Sequence, residues 1–145
     1  MSFVARGSRR VSVTPEVAFD RLADFASWAE WMPRSFRPTG SPTGELTVGR
    51  RIRVRIGGMP NATTIEVSEK RRPAEIAWRG GVRGVLFADH HFLFEPDGRG
   101  GTLVTSLETW SGALAPFTRL FIQPMAARIG GQQLEALARA VEHLP

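Results

Sequence analysis

The sequence predicts an α+β domain in which a curved antiparallel sheet of about six to seven strands wraps a long C-terminal helix. Three observations carry this reading. An opening strand is followed by two brief helices in tandem. The middle of the chain then alternates apolar and polar residues over several segments joined only by short turns. From Ala113 onward the apolar spacing becomes helical. Successive strands with no helix between them imply an antiparallel meander, and its apolar face needs a large element to cover it; the terminal helix is the one left.

Residues 3–13 read as the first strand, closing on the alternation Val11-Ser12-Val13. Thr14-Pro15-Glu16 starts a helix: a side-chain oxygen for an orphan N–H, a φ set in advance, and a negative charge at the positive helix end. Ala18, Leu22 and Phe25 recur at helical spacing. Ser27 reads as the N-cap of a second short helix through Trp28 and Trp31, which Pro33 stops. After a Pro- and Gly-rich stretch over 38–44, Ile52, Val54 and Ile56 share one face of a strand and Arg51, Arg53 and Arg55 the other. Gly57-Gly58 and Pro60-Asn61 supply a turn, and residues 63–67 alternate again. Residues 74–79 form a short strand carrying Ile76 and Trp78 on one side. Residues 85–95 and 101–110 form a hairpin about Pro96-Asp97-Gly98. In the terminal helix, Phe117, Phe121, Met125 and Ile129 make one stripe and Leu134, Leu137, Val141 and Leu144 another, out of register. The break at Gly130-Gly131, with Pro124 before it, predicts a bent or two-part helix.

The chain has 145 residues, which fits a single domain over 1–145 with no repeat or low-complexity tail. It has no cysteine, so disulfides and thiolate metal sites are excluded. A start without a signal-peptide core predicts a cytoplasmic protein, and no apolar run predicts membrane insertion. The net charge is +5, and Lys70 is the only lysine among 19 basic residues. With abundant Ala, Gly and Pro this is the bias of a GC-rich bacterial genome. The arginines are scattered and not confined to one helix or tail, so no nucleic-acid partner is expected. The Arg51, Arg53, Arg55 ladder reads as a solvated face; its functional alternative is contact with an acidic partner or anionic lipid. Phosphate loops, dinucleotide fingerprints, zinc-protease motifs and the G-x-S-x-G elbow are all missing, so no metal site and no cofactor are expected.

Several stretches carry a resemblance. They are Leu22-Ala23-Asp24-Phe25-Ala26-Ser27-Trp28-Ala29-Glu30-Trp31-Met32-Pro33, Trp78-Arg79-Gly80, His90-His91-Phe92-Leu93-Phe94-Glu95-Pro96, and Gly101-Thr102 through Glu108-Thr109-Trp110-Ser111-Gly112. Over nearly its whole length the chain resembles the START-like superfamily (Bet v 1-like or SRPBCC, including polyketide cyclase/dehydrase-like proteins). That resemblance implies a helix-grip fold with a hydrophobic ligand cavity. It does not imply one reaction, because members include carriers, lipid binders and cyclases.

On the strand over 85–95, the more apolar face carries Leu86, Ala88, His90, Phe92 and Phe94, which turns His90 inward and His91 outward. On the partner strand composition does not choose a face. The resemblance favours Val104, Ser106, Glu108 and Trp110 as the inward set, which would set His90 beside Glu108. These two are the candidate catalytic pair, a carboxylate orienting an imidazole that moves a proton on a bound enol or ketone. The competing reading is a histidine satisfied by a core acid, or one that only hydrogen-bonds a ligand carbonyl. Candidate lining residues are Val54, Ile56, Trp78 and Phe92, with Phe94, Trp110, Phe121 and Met125. The same tryptophans read equally as core. The predicted partner is a small polyketide-, aromatic- or lipid-like molecule, held by a cyclase/dehydratase-type enzyme or by a carrier or interaction domain. Monomer and homodimer both remain open.

Overall fold

A computed structural model describes residues 2–57 and 59–142. The expected Gly58 turn position and Leu144 of the second helical stripe lie outside them. β1 (Ser2–Val11) leads into α1 (Pro15–Ala23), a 3-10 turn (Phe25–Ser27) and α2 (Trp28–Trp31). Then come β2 (Phe36–Pro38), β3 (Arg51–Ile56), β4 (Thr63–Arg71), β5 (Glu75–Val82), β6 (Leu86–Pro96) and β7 (Thr102–Ser111), and finally α3 (Ala115–Glu142). The seven strands form one antiparallel sheet in the order β1-β7-β6-β5-β4-β3-β2, curled into a half-barrel around α3. The helix-grip architecture is therefore the one the sequence predicts. A bulge between Val67 and Glu69 bends β4, as an extra unpaired residue does.

Local chemistry explains the first helices. The Thr14 hydroxyl accepts from the Val17 N–H, and Pro15 opens α1, which buries Ala18, Phe19, Leu22 and Ala23. Ser27 does not cap α2. It is already helical at φ −86°, and its Oγ donates to the Asp24 carbonyl while accepting from Trp31 Nε1. Trp28 is fully buried; its Nε1 donates to the Leu22 carbonyl at 2.8 Å, and its ring meets Phe25, Phe36 and Trp78.

α3 is one helix and not two, which corrects the expected division at Gly130-Gly131. Gly130 is a contact point: a Cβ there would stand 3.0 Å from Ser106 Oγ, so its bare backbone lets the helix sit close on β7. Only one of the two stripes packs. Ile129, Leu134, Leu137 and Val141 are buried, each worth about 1.5–3 kcal/mol relative to exposure. Pro124 has no N–H to return to the Leu120 carbonyl, which lies in the half that is not packed down.

Candidate functional site

Between α3 and the sheet lies a cavity of about 480 Å³. Ile122, Met125, Ala126 and Ile129 line it from the helix, and Ile65, Trp78, Ala88 and Trp110 from the sheet. Phe36, Ile56, Met59 and Leu86 close its sides. Gly80 and Gly81 add a wall without side chains. Gly81 has φ +97°, and a Cβ there would fall 2.4 Å from the Leu86 carbonyl oxygen, so this wall stays thin. The volume is within the roughly 300–1,000 Å³ of small-molecule sites. A groove of about 560 Å³ outside α3 is more open, and it is bounded by charged groups including the ion pair Arg9–Glu135 at 3.1 Å.

The polar groups of the cavity are concentrated on one wall. Register sets His90 of β6 directly opposite Glu108 of β7. His90 Nδ1 lies 3.0 Å from Glu108 Oε2, and His90 Nε2 lies 2.7 Å from Ser106 Oγ. Trp110 Nε1 donates to the other carboxylate oxygen, Glu108 Oε1. An ionised carboxylate only accepts, so it requires the proton on Nδ1; in neutral His90 the Nε2 lone pair then takes the Ser106 hydroxyl proton. The order carboxylate–imidazole–hydroxyl is that of a nucleophilic relay. Yet Ser106 is buried beneath Gly130 and does not line the cavity, so its oxygen is not presented to a ligand. Both ring nitrogens of His90 are engaged, and Glu108 keeps spare lone pairs toward the cavity.

Gln133 completes this wall from α3, one turn beyond Gly130. It is 1% exposed, and neither its amide nitrogen nor its oxygen has a partner among the described residues. A buried amide without partners is costly. His91, on the outer face, bonds Glu75 at 2.6 Å, and Arg71 donates to the other Glu75 oxygen. Burial pushes the Glu75 carboxyl up, but the hydrogen bonds from Arg71 and His91 outweigh it and leave the group below its usual range.

Six predicted site residues meet at the cavity: His90, Glu108, Trp78, Trp110, Ile56 and Met125. Four do not line it. Val54, Phe92 and Phe94 share the inward face but are sealed in the core beyond the cavity floor, Phe94 edge-on to Phe19 of α1. Phe121 is 80% exposed, because α3 turns Ile122 inward instead. The sequence reading missed Gln133, although the signal was present: a glutamine four residues from both Ile129 and Leu137 stands in the middle of a buried stripe. Among the described residues there is no cluster of metal-ligating side chains, and no helix is long and apolar enough to cross a membrane.

A curled sheet gripping a helix over an apolar cavity with one polar wall defines a class of small-ligand-binding proteins. Within it, the chain belongs to the polyketide cyclase / dehydrase and lipid transport family, matched over residues 2–142. The di-domain ARO/CYC BexL from the BE-7585A biosynthetic pathway superposes with a TM-score of 0.75 at 16% identity, over 99% of this chain and 51% of BexL. The Zhui aromatase/cyclase from Streptomyces sp. R1128 gives 0.73 at 13% identity, over 98% and 94%. Norcoclaurine synthase from Thalictrum flavum, in complex with dopamine and hydroxybenzaldehyde, gives 0.71 at 11% identity, over 100% and 90%. At these identities the likeness is one of fold. No curated protein matches the chain in sequence.

Proposed function

We propose that the protein binds a small aromatic or polyketide-like molecule in this cavity, with the ligand's apolar body among Trp78, Trp110, Ile65 and Met125 and one polar group against Glu108 and Gln133. The observation that carries the reading is the contrast inside the cavity: apolar walls, and one side where a carboxylate with spare acceptors sits with an unpartnered amide. A ligand hydroxyl or carbonyl there would satisfy the Gln133 amide, which nothing among the described residues does. The composition supports a cytoplasmic setting for this binding.

A second reading adds cofactor-free cyclase or dehydratase chemistry, and the Glu108–His90 bond favours it. Glu108 would stabilise the imidazolium, and His90 would exchange a proton with an enol or ketone after giving up its bond to Ser106. A carrier needs only the first part. The deciding experiment titrates the protein with the fluorescent apolar probe 1-aminoanthracene and with tricyclic aromatic ketones. Saturable binding is expected, weakened about tenfold by Trp110→Ala through lost aromatic contact. An absence of saturable binding, or a Trp110→Ala variant that binds as well as the parent, would overturn the proposal. For an enzyme, His90→Gln keeps affinity and abolishes turnover; for a carrier, no turnover is found in either protein.

A further inference from the structure

We infer that the open end of the cavity docks peripherally on an anionic membrane surface, with the first turns of α3 seated in the headgroup layer and no segment crossing the bilayer. The inference deepens the cavity reading, giving an apolar ligand a source and a path, but it is carried by the surface and not by the cavity lining.

Large apolar side chains protrude at this end. Phe117 is 79% and Leu120 86% exposed, on the helix just before the cavity-lining Ile122 and Met125. The β5–β6 turn adds exposed Val82 and Val85, and hydrogen bonds of 2.9 Å from the Ala113 and Leu114 N–H groups tie that turn to the start of α3. Gly81 and Leu86, on either side of the turn, line the cavity, as does the exposed Met59. Gln123 Nε2 donates to the Val4 carbonyl, bringing the exposed start of β1 alongside. The protruding groups therefore rim the mouth. An apolar patch of this kind marks an interaction surface.

Charge identifies what it meets. The segments that build this end, 2–8, 52–65, 80–88 and 109–127, carry Arg6, Arg53, Arg55, Arg83 and Arg119 and no aspartate or glutamate. None of these five arginines pairs with a carboxylate among the described residues. At the opposite end of the sheet the arginines are neutralised, Arg10 by Asp97, Arg71 by Glu75 and Arg72 by Asp20. Protruding Phe and Leu flanked by unpaired arginines, on a helix too polar to insert, is the pattern of interfacial binding to anionic lipid. Seated this way, the mouth opens onto the acyl layer, and a ligand passes between bilayer and cavity without crossing water.

The test is co-sedimentation with vesicles of phosphatidylcholine, with and without phosphatidylglycerol. The protein should pellet with the phosphatidylglycerol vesicles, and binding should weaken as salt rises from about 0.05 to about 0.5 M, where charges are screened within a few ångströms. A Phe117→Ser/Leu120→Ser variant should lose at least about tenfold in partitioning. Arg83→Glu/Arg119→Glu should lose the preference for phosphatidylglycerol. Both variants should bind 1-aminoanthracene as the parent does, which shows that they are folded. No pelleting, equal pelleting with neutral vesicles, or capture only by an acidic protein would overturn the inference. Should the cavity reading fail instead, 1-aminoanthracene binding is lost while the parent still pellets.

Discussion

The two halves of α3 are both rich in apolar side chains and have opposite fates. Beyond Gly130, Leu134, Leu137 and Val141 are buried against the sheet and α1; before Pro124, Phe117, Leu120 and Phe121 face solvent. Composition does not separate the halves. What separates them is the surface underneath: the second half meets a closed layer of side chains, and the first bridges a cavity whose floor it does not reach. An apolar stripe reports burial only where the opposing layer exists to receive it. Where that layer is missing, the same residues are available to a ligand or a bilayer.

The sharpest way to break this comparison is a matched pair of truncations. Leu137 is 1% exposed, so Leu137→Ala should destabilise the protein by about 2–5 kcal/mol through lost transfer energy and a residual cavity. Leu120→Ala, the same change on the exposed half, should stay within about 0.5 kcal/mol. Urea denaturation measures both. Comparable losses would mean that the first half packs as the second does.

A smaller effect is expected at the junction of the halves, where two adjacent glycines differ. A Cβ added at Gly131 would meet nothing within 4 Å, so Gly131→Ala should raise stability by about 0.5–1 kcal/mol on helix propensity alone. Gly130→Ala gains the same propensity but pushes its methyl to 3.0 Å from Ser106 Oγ, which is fixed by its bond to His90. It should melt below the parent and loosen the imidazole. Thermal melts that rise for both variants would show that the helix has room above β7.

Most of the fold was legible because each strand declares its inner face by alternation. The same alternation separated His90 from His91, and pairing register brought Glu108 opposite His90. The pieces that escaped lacked a periodic signal. β2 is three residues long and contains Pro38, so it has no alternation to read; its inner residue, Phe36, is buried only because the neighbouring strands are there. Phe121 was misplaced because a four-residue step looks continuous across Pro124, while the helix turns Ile122 to the cavity. Cavity and core residues on one strand face carry the same residue types, so sequence could not separate Trp78 from Phe94. Which of them meets empty space depends on how far along the strand the helix lifts away.

The smallest effect concerns the two hairpin ends of the sheet. At the closed end, the Asp97 carboxylate receives Arg10 at 2.6 Å and the N–H groups of Arg99 and Gly101 at 2.7 and 3.0 Å. Its hydrogen bond from Arg10, aided by those N–H groups, lowers its pKa from 3.8 to about 2. The β5–β6 turn at the mouth has no such carboxylate. A depressed folded-state pKa adds stability above the unfolded value and loses it as pH falls through the folded one. Asp97→Asn keeps an oxygen for the two N–H groups but loses the charge facing Arg10. It should therefore lower the urea midpoint slightly at neutral pH, and the gap to the parent should close between about pH 4 and about pH 2. A gap that persists unchanged in acid would assign the closed end's hold on its hairpin to turn geometry, leaving the ion pair no part in the difference between the two ends.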